Sequence, residues 1–180
     1  MKMIKIAYAL PTLLPIALLI PFSSAFAAPS SAVSRGHSFG AGIVIGEPTA
    51  LSAKLWLAPD KAVDFGLAFS FDEYALVYSD YLLHYPGSLG HSTAFISELS
   101  PYFGVGLVLA FANDKHYDRD RRFFGRGHDS LGAGVRVPLG IEWIPARTPL
   151  GVFVELVPGI SIVPETSGLL EGGIGIRYYF

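Results

Sequence analysis

The chain has 180 residues, enough for one domain. Hydrophobic residues make up 51% of it and charged ones 16%, which is apolar for a water-soluble domain, and the formal net charge of −2 gives no support to a nucleic-acid partner. There is no cysteine, so a disulfide framework and a thiolate metal site are excluded, and the absence suits passage through an oxidising compartment.

The first segment reads as an export signal. Lys2 and Lys5 supply a positive start, residues 6–20 are almost wholly apolar, and Ala25-Phe26-Ala27 is a small-x-small cleavage site. Pro11, Pro15 and Pro21 weaken the alternative of an uncleaved spanning helix. Cleavage after Ala27 is preferred, because a cut one residue later would leave Pro29 immediately beyond it. The expected organisation is a signal peptide over 1–27, a small polar lead-in over 28–36 and one β-barrel domain over 37–180. No later stretch approaches the ~18 consecutive apolar residues of a membrane helix, so any insertion must use strands.

From residue 38 onward the hydrophobic period is two. In 38–46 Phe39, Ala41, Ile43 and Ile45 alternate with Ser, Gly and Val. In 51–57 Leu51, Ala53, Leu55 and Leu57 alternate with Ser52, Lys54 and Trp56. In 63–71 Val63, Phe65, Leu67, Phe69 and Phe71 face away from Asp64, Gly66, Ala68 and Ser70. The segment 76–85 is the most mixed, with Val77, Ser79, Tyr81, Leu83 and Tyr85 against Leu76, Tyr78, Asp80, Leu82 and His84. In 102–111 Phe103, Val105, Leu107, Leu109 and Phe111 oppose Tyr102, Gly104, Gly106, Val108 and Ala110. The clearest segment is 131–143, where Leu131 to Trp143 on odd positions are separated completely from Gly132, Gly134, Arg136, Pro138, Gly140 and Glu142. The last two are 150–162 and 171–180. Eight strands of roughly the ~9–11 residues that a tilted spanning strand needs, joined by turn residues, predict an antiparallel up-and-down barrel.

Two closed barrels fit that pattern. A soluble ligand-binding barrel keeps its apolar face inside, and a membrane barrel turns it outward. The polar face is mainly Gly, Ser and Ala with about one charge per strand. A water-facing surface calls for more Lys, Glu, Thr and Gln, whereas a narrow eight-stranded lumen calls for small residues. The apolar face is therefore expected to point outward. With the N-terminus placed in the periplasm, Phe39, Phe65, Phe103, Tyr85, Trp143, Tyr178 and Phe180 fall near one level, as an aromatic girdle would, and Phe71 and Phe111 near the other.

The end of the chain, Gly175-Ile176-Arg177-Tyr178-Tyr179-Phe180, resembles the terminal strand by which outer-membrane barrels are recognised by the barrel assembly machinery. That resemblance implies Gly175, Tyr178 and Phe180 as an assembly signal. Gly173 departs from it, where the pattern often has a polar residue. Together with Gly46-Glu47-Pro48-Thr49-Ala50-Leu51-Ser52-Ala53-Lys54-Leu55-Trp56-Leu57, Asp64-Phe65-Gly66-Leu67, Asp80-Tyr81-Leu82-Leu83-His84, Gly134-Val135-Arg136-Val137-Pro138-Leu139-Gly140 and Phe153-Val154-Glu155-Leu156-Val157-Pro158, the chain resembles a family of small bacterial outer-membrane β-barrels similar to the OmpA/OmpX transmembrane domain. The resemblance covers nearly the whole mature chain. It implies a barrel in the outer membrane, in contact with its lipids and lipopolysaccharide, and implies no particular activity.

The inward face carries Lys54, Asp64, Asp80, His84, Arg136, Glu142, Glu155, Glu171 and Arg177. Charges in a narrow lumen must be paired, so the expectation is a polar plug in which the bases interleave with the acids. An ion-pair gate or a narrow channel is the alternative. A lipid-modifying enzyme is a further one, but His37-Ser38 and His91-Ser92 put neighbours on opposite strand faces and supply no ready dyad. No enzyme activity and no cofactor are expected. The charged connection 113–129 should lie outside the cell. Its Asp114, His116, Asp118 and Asp120 alternate, but the intervening Lys115, Arg119, Arg121 and Arg122 favour mutual pairing over a metal. Arg119, Arg121, Arg122, Phe123, Phe124 and Arg126 are the candidate contact for lipopolysaccharide phosphates or an external protein. The long connection 87–100 falls on the periplasmic side, where turns are usually short.

Overall fold

The computed structural model describes residues 36–69, 74–112 and 131–180. The expected signal peptide, nearly all of the lead-in, and the connection 113–129 with its candidate contact and metal residues lie outside the described residues, as does Phe71.

The alternating segments form β1 (Phe39–Glu47), β2 (Thr49–Ala58), β3 (Lys61–Phe69), β4 (Tyr74–His84), β5 (Leu99–Ala112), β6 (Leu131–Arg136), β7 (Leu139–Trp143), β8 (Leu150–Val163) and β9 (Ser167–Tyr179), with one helical turn, α1 (Ala94–Ser97), before β5. Successive strands pair antiparallel from β1 to β5. β6 and β7 both lie between β5 and β8, and β9 pairs with β8 on one side and β1 on the other. The β1–β9 ladder runs from Gly40 opposite Tyr179 to Glu47 opposite Gly172, and the Phe180 amide extends it by donating to the Phe39 carbonyl at 2.7 Å. The ring is therefore closed.

β6 and β7 are two halves of one stave. The pairings Arg136 opposite Gly159 and Leu139 opposite Leu156 share one register, as do Gly106 opposite Arg136 and Phe103 opposite Leu139. The expected single strand over 131–143 is interrupted at Val137 and Pro138 because proline has no N–H to give the ladder. Val137 N still donates to Pro158 O, and Pro138 O still accepts from Gly104 N. The described residues thus form eight staves built from nine strands.

Burial follows the parity of every stave. In β5, Tyr102, Gly104, Gly106, Val108 and Ala110 are buried, while Phe103, Val105, Leu107, Leu109 and Phe111 are exposed. In β8, Gly151, Phe153, Glu155 and Val157 point in, and Val152, Val154 and Leu156 point out. The apolar face is the outer one, and the charged face is the inner one. A soluble barrel has the reverse arrangement. Among the expected girdle residues, Phe39 stacks on Phe180, Tyr178 meets Phe180 edge-on, and Tyr85 stacks on Phe103. Phe65 lies four residues beyond Lys61, the start of β3, rather than two beyond the expected start at Val63.

Eight staves leave little room inside, and glycine makes that room where an inward ring lies. Tyr78, Tyr102, Phe153 and Tyr179 are the register partners of Gly66, Gly140, Gly175 and Gly40. A Cβ on Gly66 would stand 2.0 Å from Tyr78 Cζ, and one on Gly175 2.1 Å from Phe153 Cζ. Each ring occupies the volume that its partner leaves empty, which locks the two staves in register. Gly66→Ala and Gly175→Ala should each destabilise the refolded barrel by about 1–3 kcal/mol through overpacking. Gly168→Ala, with nothing within 4 Å, should stay within about 0.5 kcal/mol of the parent. Urea midpoints of the three variants check this, and equal midpoints would contradict it.

Candidate functional site

The inner face brings together residues from seven strands. Lys54, Asp64, Asp80, His84, Arg136, Glu142, Glu155, Glu171 and Arg177 are all buried. Strand alternation delivers them there, because each lies an even number of residues from its inward neighbours on the same strand. How they are joined depends on register across the ring.

The larger cluster centres on Arg177 and Lys54. Arg177 donates to Asp64 Oδ2 at 2.5 Å and to Ser52 Oγ at 2.9 Å, with Glu142 Oε1 at 3.7 Å. Its guanidinium lies over the Phe153 ring, 3.7 Å from the centroid. Ser52 Oγ and the Phe65 amide donate to Asp64 Oδ1. Lys54 Nζ donates to Glu142 Oε2 at 2.5 Å and lies 2.8 Å from His84 Nε2, with the Trp56 ring beneath it. Tyr179 OH donates to the other Glu142 oxygen. His84 Nδ1 is 3.2 Å from Ser100 Oγ, and the His84 ring packs between Trp56 and Tyr102. Seven staves, carrying β2, β3, β4, β5, β7, β8 and β9, are tied across the interior by these contacts.

The second cluster centres on Arg136. It donates to Glu171 Oε2 at 2.8 Å, approaches Asp80 Oδ1 at 3.2 Å and stacks over Tyr78. Asp80 and Arg136 are the two register partners of Gly106, one on each side of β5. A Cβ on Gly106 would come 1.8 Å from Asp80 Oδ1, so the pair reaches across β5 over a missing side chain. Glu155 behaves differently: Tyr102 OH donates to it at 3.0 Å, and among the described residues it has no ion pair. The interior therefore holds Lys54, Arg136 and Arg177 against Asp64, Asp80, Glu142, Glu155 and Glu171, with four of the five acids facing a base.

Ser52, Ser100, Tyr102 and Tyr179 complete the network and were not singled out from the sequence as site residues. Parity marked Ser52, Tyr102 and Tyr179 as inward, whereas Ser100 fell in the expected connection 87–100 and joins the inner face because β5 starts at Leu99. Nothing local marked them as hydrogen-bonding partners. Chemically, Ser100, His84 and Lys54 form a chain of contacts resembling a nucleophile relay, and all three are buried on the inner face. His37 is half-buried and Ser38 exposed beside β1, and His91 and Ser92 are exposed in the 85–98 connection. Among the described residues no group of three or more metal-ligating side chains is found. At the chain end, Tyr178 and Phe180 point outward and exposed, Tyr179 points in, and Gly175 lies beneath Phe153.

A closed antiparallel ring of eight staves with an apolar outer band and a charged, hydrogen-bonded interior is a transmembrane β-barrel. Among solved structures the chain is similar to the N-terminal β-barrel domain of Pseudomonas aeruginosa OprF, with a TM-score of 0.53 and 15% identity, covering 79% of this chain and 95% of that one. This likeness shows the fold. No family model and no curated protein matches the chain.

Replacing Arg177 by Met leaves Asp64 without its cation in a buried site, and the loss should be about 3–5 kcal/mol. Adding Asp64→Leu should recover most of it, since an apolar pair then replaces an ionic one. Glu155→Gln should stay within about 1 kcal/mol, because Tyr102 can donate to an amide oxygen equally well. Denaturant unfolding of the refolded barrel measures all three, and an Arg177→Met variant as stable as the parent would contradict the pairing scheme.

Proposed function

We propose that the chain is an outer-membrane β-barrel of structural or surface-interaction type, exported with a cleaved signal peptide, whose lumen is plugged by paired charges. The observation that carries this reading is the inverted face pattern: exposed Leu, Ile, Val and Phe outside, and cross-stave ion pairs inside. An apolar exterior of this extent is matched by hydrocarbon and not by water. Ion pairs packed across the interior favour a plug over an open path.

The same reading assigns the partners. The outer band meets outer-membrane lipids and lipopolysaccharide. Tyr178, Phe180 and Gly175 present the terminal strand to the barrel assembly machinery; the exposed positions of Tyr178 and Phe180 suit recognition by another protein. The connection 113–129, with Arg119, Arg121, Arg122, Phe123, Phe124 and Arg126, is the proposed contact for lipopolysaccharide or an external protein.

Fractionated cells and the purified protein test this together. The protein should sediment with the outer membrane and run differently on a gel before and after boiling, because a closed ladder resists SDS until heated. In planar bilayers it should give small or no current. A soluble, heat-unmodified protein overturns the membrane reading, and large steady single-channel currents overturn the plug and make the chain a channel.

A further inference from the structure

The connection between β4 and β5 is long for the end of the barrel where the chain terminates, and its chemistry is unlike that of a solvated loop. Residues 86–97 contain no Asp, Glu, Lys or Arg. They expose Leu89 and Phe95, at 48% and 54%. The whole connection, 85–98, carries one formal charge, Glu98, beside β5, as the much shorter turns at 59–60, 144–149 and 164–166 do at Asp60, Arg147 and Glu165.

The segment is also folded on itself. Ser88 N and Ser88 Oγ donate to Tyr85 O, and Gly90 N donates to Gly87 O. Thr93 caps α1 by accepting from Ile96 N, while Ser97 N donates to Thr93 O and Ser97 Oγ to Ala94 O. Gly87 and Gly90 have φ of 77° and 91°, a region that side chains with a Cβ rarely adopt, so the tight bends need glycine.

Its position is fixed from the outside of the ring. Phe95 packs on Trp143, with centroids 5.5 Å apart, and Trp143 shares the outward face of its stave with Leu139. Glu98 accepts from Trp143 Nε1 at 3.0 Å and from the Ala146 amide at 2.7 Å. Phe95 and Glu98 thus pin the end of the segment to the outward side of the rim beside the aromatic girdle.

We propose that residues 86–97 form a lipid-seated flap: Leu89 and Phe95 lie in the headgroup–acyl boundary of the bilayer leaflet at this end of the barrel, continuing the girdle made by Tyr85, Phe103 and Trp143. The uncharged composition, the exposed apolar pair and the outward anchor on Trp143 all point to a bilayer interface as the occupant, where apolar side chains bury by about 5–10 Å. A soluble protein partner would need no such continuity with the lipid-facing band. The proposal rests on the membrane-barrel reading above.

The chain has no cysteine, so single labels are clean. Leu89→Cys and Phe95→Cys carry a nitroxide, with Leu107→Cys marking the middle of the outer band and Glu165→Cys marking an exposed turn at the opposite end. The four labelled barrels, refolded into phosphatidylcholine vesicles and checked by heat-dependent gel mobility, are exposed to oxygen and to a water-soluble nickel chelate. The ratio of oxygen to nickel collision rates at 89 and 95 should exceed that at 165 severalfold and fall between 165 and 107. Ratios at 89 and 95 equal to that at 165, with 107 rich in oxygen, overturn the flap while leaving the membrane barrel intact. A label at 107 that is itself open to nickel overturns both.

Discussion

Pairing between β1 and β9 is the constraint on which the rest of the molecule depends. An open sheet of these staves would present two unpaired edges and a broad apolar face. Once Gly40–Glu47 lies against Gly172–Tyr179, every stave has two neighbours and the ladder has no edge. Closure also fixes the size of the interior. Eight staves enclose a space that side chains must fill without voids, and the positions of glycine follow: beneath Tyr78, Tyr102, Phe153 and Tyr179 at four register pairs, and between Asp80 and Arg136 at Gly106.

The interior is held by charges in a way that an apolar core would not need. Burying Arg177 or Lys54 is costly, and the cost is offset only because Asp64, Glu142 and Ser52 are already placed to receive them, with Tyr179 donating to Glu142. Those partners come from different staves. The network therefore discriminates between registers: a slip of one residue turns Lys54 and Asp64 toward lipid and Leu55 and Phe65 inward. Apolar side chains tolerate such slips more readily than ion pairs do, which gives a reason for a charged interior that involves no transport.

Much of this was legible in the sequence, because strand alternation is local. The even and odd positions of 131–143 separate inward from outward residues without reference to any other strand, and all nine ionisable residues assigned to the inner face lie there. What could not be read was the pairing. Lys54 meets Glu142, 88 positions away, and Arg177 meets Asp64, 113 positions away, through a register set by the whole ring. Glu155 carries the same charge and parity as Glu142 but faces a phenol, because Tyr102 is the inward group within reach. The interruption at Pro138 was foreseeable from its missing amide, yet parity and register run through it unchanged. The connection 86–97 gave no periodic signal, and its role emerges only from the contact of Phe95 with Trp143.

Closure itself is the claim most directly open to measurement. Ile43 and Ile176 are register partners across the β1–β9 seam and both face outward. A chain carrying Ile43→Cys and Ile176→Cys, refolded in detergent and oxidised, should form an intramolecular disulfide, whereas Ile43→Cys with Leu170→Cys should not. A chain that yields only intermolecular dimers from the first pair has open edges, and that result would contradict the closed barrel.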